Sequence, residues 1–570
     1  MLDRTNKIPE PEAESALPPP DGTLQKFSDL RRYIRSGMAP WRILDGWKQE
    51  FLCNHERVSA EDLGMKDGSP LPLRAYRVVT GPAFARQLHR RFGDDAQRRS
   101  IERLKNEQPT HSAAGVLSNA QRLLFSTVFI AAAACLWLKP VAMLVALNSV
   151  VTAYFISAIF FRVYLFFLTA GKGPAKTAHA TDLTALPVIT VLLPLYRETE
   201  ALPSLSRAMN ELEYPPDKLD IKLLLEEDDV ETIREARRLG LSEQFEMLIV
   251  PEGGPKTKPK ACNFGMCFAR GDLIVIYDAE DQPEPDQLLK AAAAFQDAPA
   301  DLACVQARLN YYNRRDNWLT RQFTLEYSLW FDWLLPALQR MNAPIPLGGT
   351  SNFLRTDVLY DVGGWDPFNV TEDADLGLRL SKLGYRVEVL DSTTYEEANC
   401  RIRNWIRQRS RWMKGYLQTW LVHMRRPGAI VSTTGWRGLL AVLLFVAGNV
   451  LSALINPVLW AVFAVWLFTG AAAIAAVFPG PLLWLNFFAL AVGNAFFILL
   501  AVIAPMRRGW LGLSLYGLTA PLYWGLTSLA AYKAVWQIVT RPYFWEKTDH
   551  VISGIARKKR DDALKARHVD

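Results

Sequence analysis

The chain has 570 residues, 50% of them hydrophobic, with 18 Trp and 28 Phe, so a single ordinary core cannot hold it and two or more domains are expected. The apolar excess gathers in residues 123–168 and 438–539 while the middle has ordinary composition, which excludes a wholly soluble protein and describes membrane spans around a large globular insert. A net charge of +7 and a pI of about 8.9 suit anionic lipid or an anionic substrate, and the membrane segments argue against nucleic acid as a partner.

Residues 1–22 are rich in Pro and Glu, lack the apolar stretch of a secretory signal, and read as a disordered tail. Residues 23–115 read as an N-terminal accessory domain or membrane-surface collar, with short amphipathic pieces such as 84–92 among many Arg and no catalytic motif. Cys53, Cys135, Cys262, Cys267, Cys304 and Cys400 are scattered without zinc spacing, so they read as reduced thiols with no structural metal. Two apolar runs, 123–138 and 141–168, flank Lys139 and Pro140 and predict a transmembrane hairpin within 120–170. Arg122 before it and Lys172 and Lys176 after it place both of its ends inside.

From 172 to 400 strands alternate with helices. Residues 187–194 predict one strand and 221–225 a second, which ends in Glu226, Glu227, Asp228 and Asp229. A third strand covers 246–250. Lys258 and Lys260 follow in a basic loop before a helix over 261–269. The β-branched run 273–277 then stops at Asp278, Glu280 and Asp281. This alternation predicts a mostly parallel, doubly wound α/β sheet. Carboxylates at a parallel strand's C-terminal edge sit where such sheets bind ligands, and two of them hold a hard divalent ion that in turn holds a diphosphate. Acidic turns also serve as ordinary turn chemistry, so the motif alone does not decide.

Tyr327, Trp330, Phe331, Leu334, Leu338 and Met341 form one apolar helical stripe, suited to a core or to a membrane interface. Gly348, Gly349, Thr350, Ser351 and Asn352 form a backbone-exposing loop. Thr371, Glu372 and Asp373 open a helix over 374–383 with acids in its first turn, where a helix dipole favours them. Residues 401–426 predict an amphipathic helix with Trp405, Trp412 and Trp420 on one face and Arg403, Arg407 and Lys414 on the other, the pattern of a helix lying on a membrane surface. Gln408, Arg411 and Trp412, at i, i+3 and i+4, project together from it. Beyond Arg437 the apolar runs 438–455, 458–478, 482–504 and 510–539 predict four more spans within 437–540, jointed at Pro457 and at Pro479 and Pro481. The expected total is six, within a range of five to seven, with both termini on one side. Arg507 and Arg508 then fall on the wrong side for the positive-inside rule. Residues 541–570 read as a basic cytoplasmic tail.

Over residues 120–550 the sequence resembles the membrane-embedded processive glycosyltransferases of family 2, the group of cellulose, chitin, hyaluronan and poly-N-acetylglucosamine synthases. The resemblance rests on five ordered motifs: the acids 226–229, Lys260, Asp278-Ala279-Glu280, Thr371-Glu372-Asp373, and Gln408-Arg409-Ser410-Arg411-Trp412. It implies a glycosyltransferase A type domain inserted between transmembrane helices. By resemblance, Glu226 or Asp228 binds the donor's base and ribose, Asp278 and Glu280, with Asp281, hold Mg2+ or Mn2+ on the diphosphate, and Lys260 of the lysine motif, or Lys258, adds a positive charge to the donor site. Asp373 is the implied general base. Gln408 and Arg411 clamp the diphosphate, Trp412 is the acceptor platform, and Gly349 and Thr350 belong to the acceptor loop. Trp545, Lys547 and Thr548 loosely resemble a gating segment. The family commonly has Asp where Glu280 stands. The implied function is an inner-membrane, inverting, processive transferase with a cytoplasmic catalytic domain. It polymerises a nucleotide sugar, by expectation a UDP-hexose, into an exopolysaccharide and passes it across the bilayer toward export partners. The rival expectations are transfer of one sugar to a membrane lipid, and a membrane scaffold with a vestigial transferase domain.

Overall fold

The computed structural model describes residues 25–44, 48–58, 74–171, 185–241 and 245–546. Three strands open the chain: β1 (Met38–Leu44), β2 (Lys48–Asn54) and β3 (Arg74–Val79), with β1 antiparallel and β3 parallel to β2. The pieces read as separate amphipathic stretches are one 27-residue helix, Gly81–Glu107, whose N-cap Thr80 accepts a hydrogen bond from the Ala83 amide. Phe84, Leu88, Phe92, Ala96, Ser100 and Leu104 are buried at intervals of four residues, so one stripe of the helix seats on the large domain. Its seat is the helix Lys258–Cys267. Gln97 Nε2 donates to the Pro251 and Glu252 carbonyls at 2.8 and 3.0 Å, and Asn263 Nδ2 donates to the Ser100 carbonyl at 3.1 Å.

The large domain is built on eight strands: β4 (Ile189–Leu195), β5 (Leu219–Glu226), β6 (Glu246–Val250), β7 (Leu273–Ile276), β8 (Gln282–Pro283), β9 (Leu302–Tyr311), β10 (Asn352–Arg355) and β11 (Arg386–Glu396). Their order is β6-β5-β4-β7-β10-β9-β11-β8. β6, β5, β4 and β7 run parallel, but β10 is antiparallel to both β7 and β9, and β8 is antiparallel to β11. The sheet is therefore mostly parallel, as the helix–strand alternation suggested, and mixed only through β10 and β8, which run against the other six strands. β10 was hidden because its four residues continue straight out of the Gly-rich loop, after Ser351 turns at φ 59°.

The central strands are apolar on both faces because both are covered. Leu192, Leu224, Ile274 and Ile276 join a core with Ala261 and Phe264 of the helix Lys258–Cys267. Val191, Leu193, Leu223, Leu225 and Val275 point the other way, to Leu205 and Met209 of the helix Leu202–Asn210 and to Leu288 and Phe295 of the helix Gln287–Gln296. Each such side chain, fully buried, contributes about 1.5–3 kcal/mol.

Four helices are long and apolar enough to cross a membrane: Asn119–Leu138, Pro140–Thr169, Pro427–Thr469 and Gly480–Arg508. Pro457, read as a joint between spans, lies inside the helix Gly448–Thr469, so two expected spans merge into one. A proline is tolerated there because neighbouring helices and small backbone adjustments satisfy the freed groups. The real break in this element is Gly435, at φ 70°. The last helix, Ala520–Thr540, is not among the four and packs along Ile402–His423. Among the described residues four helices meet this criterion, where five to seven spans were expected.

Arg507 and Arg508 both pack against the large domain. Arg508 grips Asp332 with Nε and Nη2 at 2.7 and 2.8 Å and reaches Thr393 of β11 at 3.2 Å. Arg507 lies over the Trp333 ring at 3.8 Å and donates to the Asp332 and Thr169 carbonyls. Both arginines are thus on the large domain's side. The Trp-rich face of Ile402–His423 is also covered by protein: Trp405 is fully buried, with its ring 5.0 Å from Tyr523 of the last helix.

Candidate active site

A cavity of about 840 Å³ starts at the C-terminal edge of β4, β5 and β7 and continues between the apolar helices. Asp278 and Glu280 line it where β7 ends, Glu226 where β5 ends, and Gly349 and Thr350 from the Gly-rich loop. Glu372 and Asp373 enter from the first turn of the helix Glu372–Lys382. Gln408, Arg411 and Trp412 enter from Ile402–His423, and Trp545 from the segment after the last helix. Lys547 and Thr548 lie outside the described residues.

Asp228, Lys260 and Asp281, named from the sequence as site residues, do not line this cavity. Lys260 is fully buried beneath it, its Nζ 2.7 Å from Glu226. The neighbouring Lys258 faces the site instead: its Nζ meets Asp278 and donates to the Gly349 carbonyl at 2.7 Å. In the helix Lys258–Cys267 the two lysines are two residues apart, so they cannot share a direction. Asp228 accepts from Lys256 Nζ at 2.8 Å and from the Tyr196 hydroxyl at 3.2 Å, and Lys256 holds its pKa below the ordinary value. Asp281 is turned inward, where it accepts from the Asp278 amide at 2.8 Å and meets the Thr350 hydroxyl. Burial, reinforced by Asp278 and Glu280, pushes its pKa well up. Asp281 therefore pins the acidic turn to the Gly-rich loop, and the face toward the cavity is left to Asp278 and Glu280.

Among the described residues no three His, Cys, Asp or Glu side chains converge as a metal cage would. Two carboxylates that need help from substrate oxygens match how Mg2+ is commonly held, by one or two acids plus phosphates. The charge balance agrees. Glu396, at the end of β11, also lines the cavity, and its pKa is raised well up by burial and then by Asp281, Glu280 and Asp278. The donor set fits a divalent cation. Sequence reading missed Glu396, although the rule that found Asp278, acids closing a strand, applies to it.

Asp373 sits where a helix N-terminus meets the cavity, its Oδ1 accepting from the Ala374 amide at 2.8 Å. Burial raises its pKa to about 6, against the pull of Lys258 and Arg411. Glu372 goes up to about 8, by burial and then by Asp373. The two carboxyls lie side by side in the sequence and titrate as a coupled pair that burial pushes upward. Gly349 faces it closely: a Cβ there would stand 3.5 Å from Asp373 Oδ2, in the space a substrate hydroxyl needs. Gly415 matters equally, since a Cβ would come within 2.4 Å of Thr371, and its absence lets the Arg411 helix lie against the Asp373 helix.

The Arg411 guanidinium lies over the Trp545 ring at 4.4 Å with Glu372, Asp373 and Asp278 around it, and its Nε has no partner. Its motif neighbour Arg409 has a structural role: it donates to both carboxylate oxygens of Glu326 and, at 2.9 Å, to the Tyr523 hydroxyl, between the Phe323, Trp405 and Trp412 rings. Lys414 and Gln418 hold the Phe544 and Pro542 carbonyls at 2.7 and 3.0 Å, which lays Trp545 across the mouth of the site.

Behind Asp373, Asp375 joins His423 Nε2 at 3.0 Å and Arg379 at 3.3 Å, and all three side chains are fully buried. Burial alone would raise the Asp375 pKa, but Arg379 and His423 outweigh it and hold it low. Asp375→Ala leaves Arg379 buried without its partner and is expected to cost about 3–5 kcal/mol. Thermal unfolding in detergent checks this, and a melting temperature equal to that of the unaltered protein would contradict it.

Residues 273–500 match the family model described as Glycosyl transferase family group 2. Over those residues the chain is similar to family 2 glycosyltransferases. The chain is 27% identical over 240 residues to the probable glycosyltransferase YdaM of Bacillus subtilis (strain 168), covering 41% of this chain and 56% of that protein. It is 28% identical over 245 residues to the beta-monoglucosyldiacylglycerol synthase of Nostoc sp. (strain PCC 7120 / SAG 25.82 / UTEX 2576), covering 42% and 50%. To the probable glucomannan 4-beta-mannosyltransferase 10 of Arabidopsis thaliana it is 26% identical over 247 residues, covering 40% and 43%. The chain thus spans about half the length of the curated relatives it matches. Among solved structures it is similar to the mannosyltransferase PcManGT from Pyrobaculum calidifontis in complex with GDP-Man and Mn2+, with a TM-score of 0.45, 21% identity, and coverage of 69% of this chain and 99% of that one.

Proposed function

We propose that this protein transfers a sugar from a nucleotide sugar with inversion, and repeats the transfer on the growing end of a polysaccharide that leaves through its own helices. The observation that carries this is the continuity of one cavity, from Asp278 and Asp373 past Trp412 to Asn449, Ser452 and Thr527 within the apolar helices. The site's chemistry follows from its charges. Asp278 and Glu280 would hold Mg2+ or Mn2+, which neutralises the departing nucleoside diphosphate. Arg411, half-buried and without a hydrogen-bond partner at Nε, supplies a planar fork for phosphate oxygens, and Lys258 adds a second positive charge. Asp373 Oδ2 takes the proton of the acceptor hydroxyl as its oxygen attacks the anomeric carbon; the opposite face is left to the diphosphate, so configuration inverts. Trp412 offers an indole face to the acceptor's terminal sugar.

On this reading the transferase domain faces the cytoplasm at a plasma membrane; the basic Arg122, Arg507 and Arg508 at helix ends near that domain support it. A second reading, one sugar added to a membrane lipid, is favoured by the likeness to a monoglucosyldiacylglycerol synthase. Purified protein in lipid, given a panel of UDP- and GDP-sugars, tests the transfer itself. The expected result is release of nucleoside diphosphate from one donor, abolished by chelator and restored by Mg2+ or Mn2+. Release that ignores the chelator with every donor would overturn the metal-assisted scheme.

A further inference from the structure

Arg162 is the only charged residue in the helix Pro140–Thr169. It lies seven residues before the end of that helix, which at 1.5 Å per residue is about 10 Å from that end. Its Nη2 donates to Asn449 Oδ1 at 2.7 Å, and its guanidinium stands over the Phe497 ring at 5.0 Å. No carboxylate pairs with it among the described residues. It lines the same cavity as Asp278, Arg411 and Trp412. A guanidinium at membrane depth is costly and is normally retained for a ligand or a pathway. One hydrogen bond and one ring leave most of its five N–H donors for something inside the cavity.

The surroundings narrow the ligand. Asn449, Ser452, Asn456, Asn494, Thr527 and Ser528 line the cavity from the apolar helices. Amides and hydroxyls bind sugar hydroxyls; they are poor walls for acyl chains, which favours a glycan over a lipid here. The donor end of the cavity carries acids and cations together, Asp278, Glu280 and Asp373 with Lys258 and Arg411. Among the lining residues contributed by the helices beyond it, Arg162 is the charged one. A carboxylate on a newly added unit that has left the donor end meets Arg162 as its partner. We infer that Arg162 is an anion subsite in the glycan path, and that the translocated chain carries carboxylate-bearing sugar units. This rests on the polymer reading above and narrows its product to an acidic glycan.

The test compares binding of two probes to the full-length protein in nanodiscs: a hexamer of galacturonate and a neutral hexamer of glucose. Tryptophan fluorescence reads binding, since Trp412 and Trp524 line the cavity. The expected result is tighter binding of the acidic hexamer, weakened at least about tenfold in Arg162→Gln and largely restored in Arg162→Lys, with the neutral hexamer little affected. The lysine variant and elution as a single species guard against misfolding. Equal loss of both probes in Arg162→Gln would assign Arg162 to the Asn449 bond alone and overturn the inference. Equal binding of both probes, unchanged in Arg162→Gln, would also overturn it while leaving the polymer reading in place. If neither hexamer binds and nanodiscs rich in phosphatidylglycerol abolish an Arg162 effect on activity, the cavity takes a lipid phosphate and the polymer reading falls too.

Discussion

Asp373→Asn is expected to lower nucleoside diphosphate release by about 10²–10⁴-fold, the usual contribution of a general base. The amide keeps the size of the side chain and its position at the helix N-terminus, so nucleotide affinity should hold. The pH dependence has a definite sign. A carboxylate must be ionised to take a proton, and burial has raised Asp373 to about 6. The rate should therefore stay level above that value and fall as the pH drops through it. Glu372, raised to about 8, keeps its proton over the same interval. Glu372→Gln should thus change the rate less than Asp373→Asn, and the two variants together should lose the acid limb. A rate profile flat to pH 5 would remove Asp373 from the role of base.

Asp278→Asn should be nearly as severe, by about 10²–10³-fold, because it removes both a metal ligand and the carboxylate that meets Lys258. Its distinguishing sign is in nucleotide binding, which should lose most of its dependence on Mg2+ or Mn2+. Asp281→Asn should behave differently. That side chain is tied to the Asp278 amide and to Thr350 and does not line the cavity, so its loss should loosen the turn and lower thermal stability while metal dependence persists. Equal loss of metal dependence in both variants would restore Asp281 to the metal set.

These predictions separate what the residues alone could say from what needed three dimensions. The strand-end acids, the acids opening the Asp373 helix and the i, i+3, i+4 set of Gln408, Arg411 and Trp412 were legible because period and position carry them. The structure brings them to one cavity. The choice between Lys258 and Lys260 was not legible: both lie in one basic stretch, and only the packing of their helix on the sheet decides which side chain is buried under Glu226. Asp281 looked like Asp278 in the sequence, and its partner Thr350 is 69 residues away. The run 438–478 seemed to break at Pro457 because a proline in a soluble helix usually breaks it; here the break is at Gly435. That Trp405 of the Trp-rich helix is covered by Tyr523 was not legible either, because the covering helix, Ala520–Thr540, is far away in the sequence. The apolar stripe around Trp330 is interrupted by a π turn, Trp330–Leu334, that periodicity does not reveal.

The central claim is that one site adds sugars repeatedly, with inversion, to a chain leaving through the helices. Sizing the product made from a radiolabelled donor by the protein in lipid, with the new linkage read by anomer-specific hydrolases, tests it most directly. The account predicts a polymer of many units in β linkage from an α-linked donor, absent in Asp373→Asn. A product of one sugar on a lipid, or a linkage that keeps the donor's configuration, would contradict it.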